Sequence, residues 1–184
     1  MLSERFAAVL SAAKEGSEDA FSLLFRDANP SLLRYLRVIA PEVAEDVAAE
    51  TWLQVLRGLT GFRGDEQDWR AWLFTISRRK VIDDARRRSR RPTIQLGDVP
   101  LGRVPLAPDA ADVALEHLST RNAMAMLTAL PPLQAEVILL RVVAGLDTDV
   151  VAKMLGRSPG AVRVAAHRGL RHLAQIAAEA GVTL

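Results

Sequence analysis

The chain has 184 residues, of which 49% are hydrophobic and 25% charged, with a net charge of +2. That balance suits one medium folded domain or two small ones and excludes a disordered chain. Cysteine is absent, so disulfides, Cys-ligated zinc and thiol redox sensing are excluded within this chain, and a reducing cytoplasm is the simplest location. Leu, Ala, Val and Arg abound while aromatics are 5%, which favours helix over sheet. No apolar run approaches a membrane span, since Val137-Ile-Leu-Leu140 is stopped by Arg141. The start, Met1-Leu-Ser-Glu-Arg, lacks the basic opening and cleavage site of a signal peptide.

The predicted elements are helices separated by short breaks. A short helix is expected over Phe6–Ala13. Ser17 is placed to cap a helix over Glu18–Asp27, with Ala20, Phe21, Leu24 and Phe25 inward. Asn29-Pro30 is expected to break it, and a new helix begins at Leu32 and ends at Ala40-Pro41. Val43 to Leu59 reads as a third helix, with Val47, Thr51, Trp52, Val55 and Leu56 inward and Glu45, Asp46, Glu50 and Gln54 outward. Residues Thr60 to Asp65 form a loop.

An aromatic helix follows. Trp69, Trp72, Leu73 and Ile76 fall at i, i+3, i+4, i+7, one helical face, with Arg78 away from it and Arg79 on its flank. Trp72 is read as a core residue. From Arg78 to Arg91 the chain carries a net +6, so its basic charge is concentrated there. Aromatics beside arginines on a rigid helix suit a nucleic-acid backbone with exposed bases.

From Pro92 to about Asp112 the character changes. Four prolines and two glycines occur without helical periodicity, marking a linker and a domain boundary. Fully extended, it would span on the order of 60–70 Å. Helical patterning resumes over Ala114–Leu130 and Leu133–Ala144. A short helix then runs from Leu146 to Gly156, with Asp147 as its N-cap and Gly156 as its stop. After Arg157, Ser158 is an N-cap and Pro159 a first helical residue. This last helix places Val162, Ala166, Leu170 and Leu173 on one face and Arg163, His167 and Arg171 on another, with Arg168 beside them.

Two helices joined by a Gly-containing turn, the second basic on its exposed face, form a helix-turn-helix. Its second helix would present free N–H groups to phosphate, and Arg163 or Arg168 to guanine in the major groove. Val151, Leu155 and Val162 are placed to lock the two helices together. The histidines His117, His167 and His172 lack metal-ligand spacing. Glu45, Asp46, Glu50, Asp83 and Asp84 have no nucleophile or metal-type partner nearby in sequence, and no phosphate-binding glycine loop is present. No enzyme, metal or cofactor is expected.

These residues carry a resemblance. Ala20-Phe-Ser-Leu-Leu-Phe, Glu45-Asp-Val-Ala-Ala-Glu-Thr-Trp, Ala71-Trp-Leu-Phe-Thr-Ile, Val81-Ile-Asp-Asp-Ala-Arg-Arg-Arg, Leu130-Pro-Pro, and Gly145-Leu through Gly160-Ala-Val-Arg stand in the order found in the extracytoplasmic-function (ECF, group 4) sigma factors of bacterial RNA polymerase. Each motif alone is weak, but the ordered set resembles that family over nearly the whole chain. The resemblance implies an all-α chain of two small helical domains joined by a flexible Pro-rich linker. Residues 1–91 would be region 2, which binds core polymerase and recognises and melts the minus-ten element. Residues 92–112 would be the linker, and 113–184 region 4, whose helix-turn-helix reads the minus-thirty-five element.

By the same resemblance, Asp46, Glu50 and Gln54 would dock on core RNA polymerase. Phe62, Arg63 and Asp65 fall in the loop that captures a flipped minus-ten base. Arg78, Arg79 and Lys80, with Arg86 and Arg87 further along, would touch the melted strand. Ser158, Arg163, Val164, His167, Arg168 and Arg171 would meet the upstream promoter DNA. An anti-sigma factor is a further implied partner. There are departures: Arg79 stands where the family often has Asn, Ala49 where Gln is common, and Val150 and Ala165 where Glu and Arg are common. Two other readings are a stand-alone helix-turn-helix regulator and an interaction protein whose acidic third helix binds a basic partner. The first leaves the Arg78–Arg91 surface unexplained.

Overall fold

The computed structural model describes residues 2–90 and 124–179, and every regular element among them is helical. The expected linker 92–112, and 113–123 of the expected second domain, lie outside the described residues.

The first unit holds α1 (Phe6–Lys14), α2 (Glu18–Ile39), α3 (Ala44–Gly58) and α4 (Glu66–Arg90). Ser17 caps α2 as expected, its Oγ accepting from the Ala20 N–H at 3.2 Å. The expected break at Asn29-Pro30 does not occur, and α2 runs through Pro30. Proline removes one ladder hydrogen bond and costs roughly 3 kcal/mol. Burial outweighs that cost here. Leu24, Ala28, Leu32, Tyr35 and Leu36, on either side of the proline, are all fully buried, and each large apolar side chain contributes about 1.5–3 kcal/mol. Asn29 also has a structural use, its Oδ1 accepting from Trp52 Nε1 at 2.9 Å.

Trp69, Leu73 and Ile76 of α4 are buried as the spacing predicts. Trp72 is half-buried and packs against the core. Two side chains expected inward are not. Leu56 on α3 is 48% exposed, and Phe25 on α2 lies at the surface with its ring 4.9 Å from that of Trp52.

The second unit begins with a helical stretch at 124–128, then α5 (Pro132–Ile138), which passes into a π-helical turn over Leu139–Val143. There follow α6 (Thr148–Leu155) and α7 (Pro159–Glu179). Gly156 ends α6 with φ +62°, a left-handed conformation that glycine adopts without strain. The buried residues of α7 are Val162, Ala165, Gly169 and Ala177. Leu170, expected inward, is 52% exposed. A Cβ on Gly169 would lie 2.6 Å from Ile138 Cδ1 and 3.2 Å from Gln134 Cβ, so α5 and α7 approach closely there. The apolar cluster is continuous across both units, and α2 lies against α5 and the π turn.

Candidate nucleic-acid and polymerase interfaces

The loop before α4 is held from several sides. Phe62 is buried, its ring 5.1 Å from Trp72 in a stacked arrangement and 5.6 Å from Trp69 edge-on. The ring expected to meet a flipped base is therefore a wall of the aromatic core, because burying it against two indoles removes more apolar surface than the short loop can otherwise cover. Lys14 Nζ donates to the Phe62 carbonyl at 2.6 Å and sits over the Phe62 ring. Arg63 Nη1 donates to the Thr60 and Phe62 carbonyls at 3.0 and 2.9 Å. Asp65 and Asp68 form a reciprocal cap: the Asp65 N–H donates to Asp68 Oδ2 at 3.1 Å, and the Asp68 N–H to Asp65 Oδ1 at 2.9 Å. Asp65 thus starts α4. Just before Asp65, Gly64 has φ +144°, and a Cβ there would meet Asp68 at 2.5 Å. Around the buried Phe62, the loop exposes Thr60, Gly61, Arg63, Gly64 and Asp65.

The basic end of α4 is less bare than the sequence implies. Arg79 is exposed, whereas Arg78 and Lys80 are half-buried. Arg78 Nε lies 2.8 Å from Glu136 Oε1, and Lys80 Nζ 3.1 Å from Glu50 Oε2. Arg86 and Arg87 pair with Asp83 and Asp84 at 3.6 and 3.8 Å. Such exposed pairs are worth little, about 0–1 kcal/mol, and a phosphate can displace them.

Asp46, Glu50 and Gln54 are all exposed on α3, as expected. Between them lies Leu53, 54% exposed, with Leu56 one turn on. The apolar periodicity of α3 places neither on this surface. An apolar side chain among outward acids was the available signal.

On α7 the Ser158 side chain caps the helix, its Oγ accepting from the Ala161 N–H at 3.2 Å. Arg163, Val164, His167, Arg168 and Arg171 are exposed. The four basic side chains among them form no hydrogen bond or ion pair with any described residue. His172 instead turns to Gln134, with Nδ1 3.0 Å from Oε1. No three described His, Asp or Glu residues are grouped to hold a metal ion. No described helix is long and apolar enough to cross a membrane.

Two helical units, an acidic helix on the first and an unpaired basic face on a helix-turn-helix in the second, are the arrangement that comparison with known proteins meets. Residues 24–91 match the family model "Sigma-70 region 2" and residues 120–173 match "Sigma-70, region 4". The chain is 34% identical over 181 residues to the ECF RNA polymerase sigma factor ShbA of Streptomyces griseus, covering 92% of this chain and 94% of that one. The chain belongs to the ECF RNA polymerase sigma factors. It is also 31% identical to the ECF sigma factor BldN of Streptomyces coelicolor over 95% of its own length, and spans 66% of that relative. The structure of the sigma factor RpoE in complex with the anti-sigma factor NepR from Bartonella quintana has a similar fold, with a TM-score of 0.59 at 19% identity, covering 84% of this chain and 94% of that one. As an ECF sigma factor, the chain serves promoter-specific transcription initiation by RNA polymerase.

One residue of this sigma factor links both units and was not singled out from the sequence. Glu136 on α5 accepts from the Tyr35 hydroxyl at 3.1 Å as well as from Arg78. Burial pushes the Tyr35 phenol well above its ordinary 10.0, Glu136 raises it further by charge and by accepting its hydrogen bond, and Arg78 opposes them. A raised acid favours its neutral form in the fold. Its stabilising share is complete below the unfolded pKa near 10 and is lost as pH rises through the folded value. Tyr35 is the chain's single tyrosine. Titrating tyrosinate absorbance should therefore show no ionisation near pH 10 in the native protein, and ionisation at lower pH in Glu136→Ala. An ordinary native titration near pH 10 would contradict the burial.

Proposed function

We propose that residues 1–91 bind core RNA polymerase and open the minus-ten element, that 92–112 link the halves, and that 113–184 read the minus-thirty-five element. The observation that carries this reading is the row Arg163, His167 and Arg171. It is exposed, has no partner among the described residues, and lies on the second helix of a helix-turn-helix capped by Ser158. A helix so placed enters the major groove by its first turns. Arg163 would reach base edges and Arg171 phosphate, with Val164, His167 and Arg168 beside them. Arg163→Ala should cost about 1–3 kcal/mol in a promoter-dependent way. Arg171→Ala should weaken all promoters alike and flatten the salt dependence. Binding of holoenzyme to point-mutated upstream elements at two salt concentrations separates the two. An equal loss on every promoter for Arg163→Ala would make it a phosphate contact.

Asp46, Glu50 and Gln54, with Leu53 among them, form the polymerase-facing surface of α3. Outward acids around an apolar side chain suit a basic partner with an apolar spot. The double reversal Asp46→Lys/Glu50→Lys should abolish co-purification with core polymerase while helical circular dichroism is kept. Retained co-purification would remove this helix from the interface. On the minus-ten side, Arg63, Asp65, Arg79, Lys80, Arg86 and Arg87 offer charge to the opened strand, and Arg78 joins them once released from Glu136. Phe62 supports the loop from behind. Arg79, where the family often has Asn, would change base preference there. Initiation from a cognate promoter by core enzyme plus this chain is the decisive assay of the whole reading. We assign the protein to the cytoplasm, to a non-catalytic role without a cofactor, and to control by an anti-sigma factor, the kind of partner bound to the structurally similar RpoE.

A further inference from the structure

Arg78, given above to the opened strand, faces the other half of its own chain. Its Nε lies 2.8 Å from Glu136 Oε1, on side chains 28% and 16% exposed. The same oxygen takes the Tyr35 hydroxyl at 3.1 Å, and Tyr35 is completely covered. A third bond crosses between the halves, from Gln67 Nε2 to the Gly145 carbonyl at 3.0 Å. All three involve residues of α2 or α4 on one side and of α5 or the turn after it on the other. Beside the ion pair, Thr75, Arg78 and Arg79 share a cleft with Lys153 and Met154 of α6. Its volume is about 270 Å³, below the roughly 300–1,000 Å³ of ordinary ligand sites.

We infer that Glu136 is the catch of a closed free form, in which the second unit sits on Arg78 and covers the strand-binding surface. The masking half of this inference rests on the reading of Arg78 as a strand contact; the docking half does not. Two anions compete for one guanidinium. While Glu136 holds Nε, a phosphate is kept off that edge, and a bound phosphate displaces Glu136. Beside the apolar packing of α2 on α5 and the π turn, the contact rests on these few polar bonds and brings the like charges Arg79 and Lys153 to one cleft, which favours opening. It needs little intrinsic strength, because the halves share a chain and meet at an effective concentration of order millimolar. Polymerase and promoter, which engage the two halves at separate places, would pull the catch open and expose Arg78 only where the strand is present.

The chain has no cysteine, so dyes on Ala8→Cys and Gln175→Cys, both exposed, report the distance between the halves without background labelling. Single-molecule energy transfer should show one high-efficiency population in the parent protein. Glu136→Arg should shift it to lower, broader efficiency, and adding Arg78→Glu to that variant should restore the high value. Unchanged efficiency in Glu136→Arg and in Glu136→Gln, at parental helicity, overturns the catch. Loss in Glu136→Arg that the charge swap fails to restore overturns the ion pair as its cause. A single-stranded minus-ten oligonucleotide should bind Glu136→Arg about tenfold more tightly than the parent, and should lower the parent's efficiency as it binds. Binding to the parent at unchanged efficiency overturns the masking. No oligonucleotide binding by the open variant rejects the strand role of Arg78, and the masking with it, while the efficiencies still decide the docking.

Discussion

Phe62→Ala is expected to destabilise the first helical unit by about 3–5 kcal/mol, the range for emptying a buried aromatic site. The ring is 9% exposed and lies against Trp69 and Trp72, so its loss opens a cavity that two large indoles cannot collapse to fill. The Lys14 bond to the Phe62 carbonyl then loses its fixed geometry, and with it the start of α4. For a unit this small the melting temperature should fall by roughly 4–8 °C per kcal/mol. Arg63→Ala, one residue on and exposed, should stay within about 0.5 kcal/mol of the parent. Thermal unfolding followed by circular dichroism tests the pair. Equal, small shifts for both would place Phe62 outside the core and return it to the DNA-facing side of the loop.

Asp27→Ala should be nearly as costly, at about 3–5 kcal/mol, for an electrostatic reason. Arg70 is 5% exposed and its Nη2 lies 2.6 Å from Asp27 Oδ2 and 3.4 Å from Glu66 Oε1. Its Nε has no hydrogen-bond partner among the described residues, so the guanidinium depends on the carboxylates at its other end. Removing the nearer carboxylate leaves a buried cation short of its main compensation. Asp27→Ala/Arg70→Met removes the cation as well and should recover much of the loss, since a buried pair replaced by apolar groups is often neutral. Urea unfolding at unchanged m-value is the measurement. A single-variant loss below about 1 kcal/mol would mean that water reaches Arg70 when Asp27 is gone.

These two sites differ in how far the sequence exposes them. The aromatic stripe of α4 was legible because Trp69, Leu73 and Ile76 repeat at helical spacing, and the caps at Ser17 and Ser158 because those residue types stand just before a helix. The outward row of α7 was legible for the same reason. Pro30 was not, since its local signal says break and only the burial of α2 on both sides says otherwise. Leu56 and Leu170 misled in the reverse direction. An apolar residue near the edge of a stripe reads as inward, yet Gly169 and Ala165 hold the contact that Leu170 would seem to make. Phe62 carries the same ring whether it faces a base or a core, and only its neighbours decide. Glu136 lies 58 residues from Arg78 and 101 from Tyr35, so no local pattern announces it.

On the proposed reading of α7 as the promoter-facing helix, Gly169 bears on the angle at which this protein holds it. The missing side chain lets α7 lie directly on Ile138 and Gln134, and a methyl group there must displace the end of the Ile138 side chain and crowd Gln134 Cβ. Arg163 is six residues away, about 9 Å along the axis. A side chain at Gly169 too large for Ile138 to evade would act as a fulcrum, swinging the row Arg163, His167 and Arg171 sideways while its own side chains stay intact. If α7 enters the groove as proposed, variation at this one buried glycine would retune promoter preference from behind, with the lettering of its outer face unchanged.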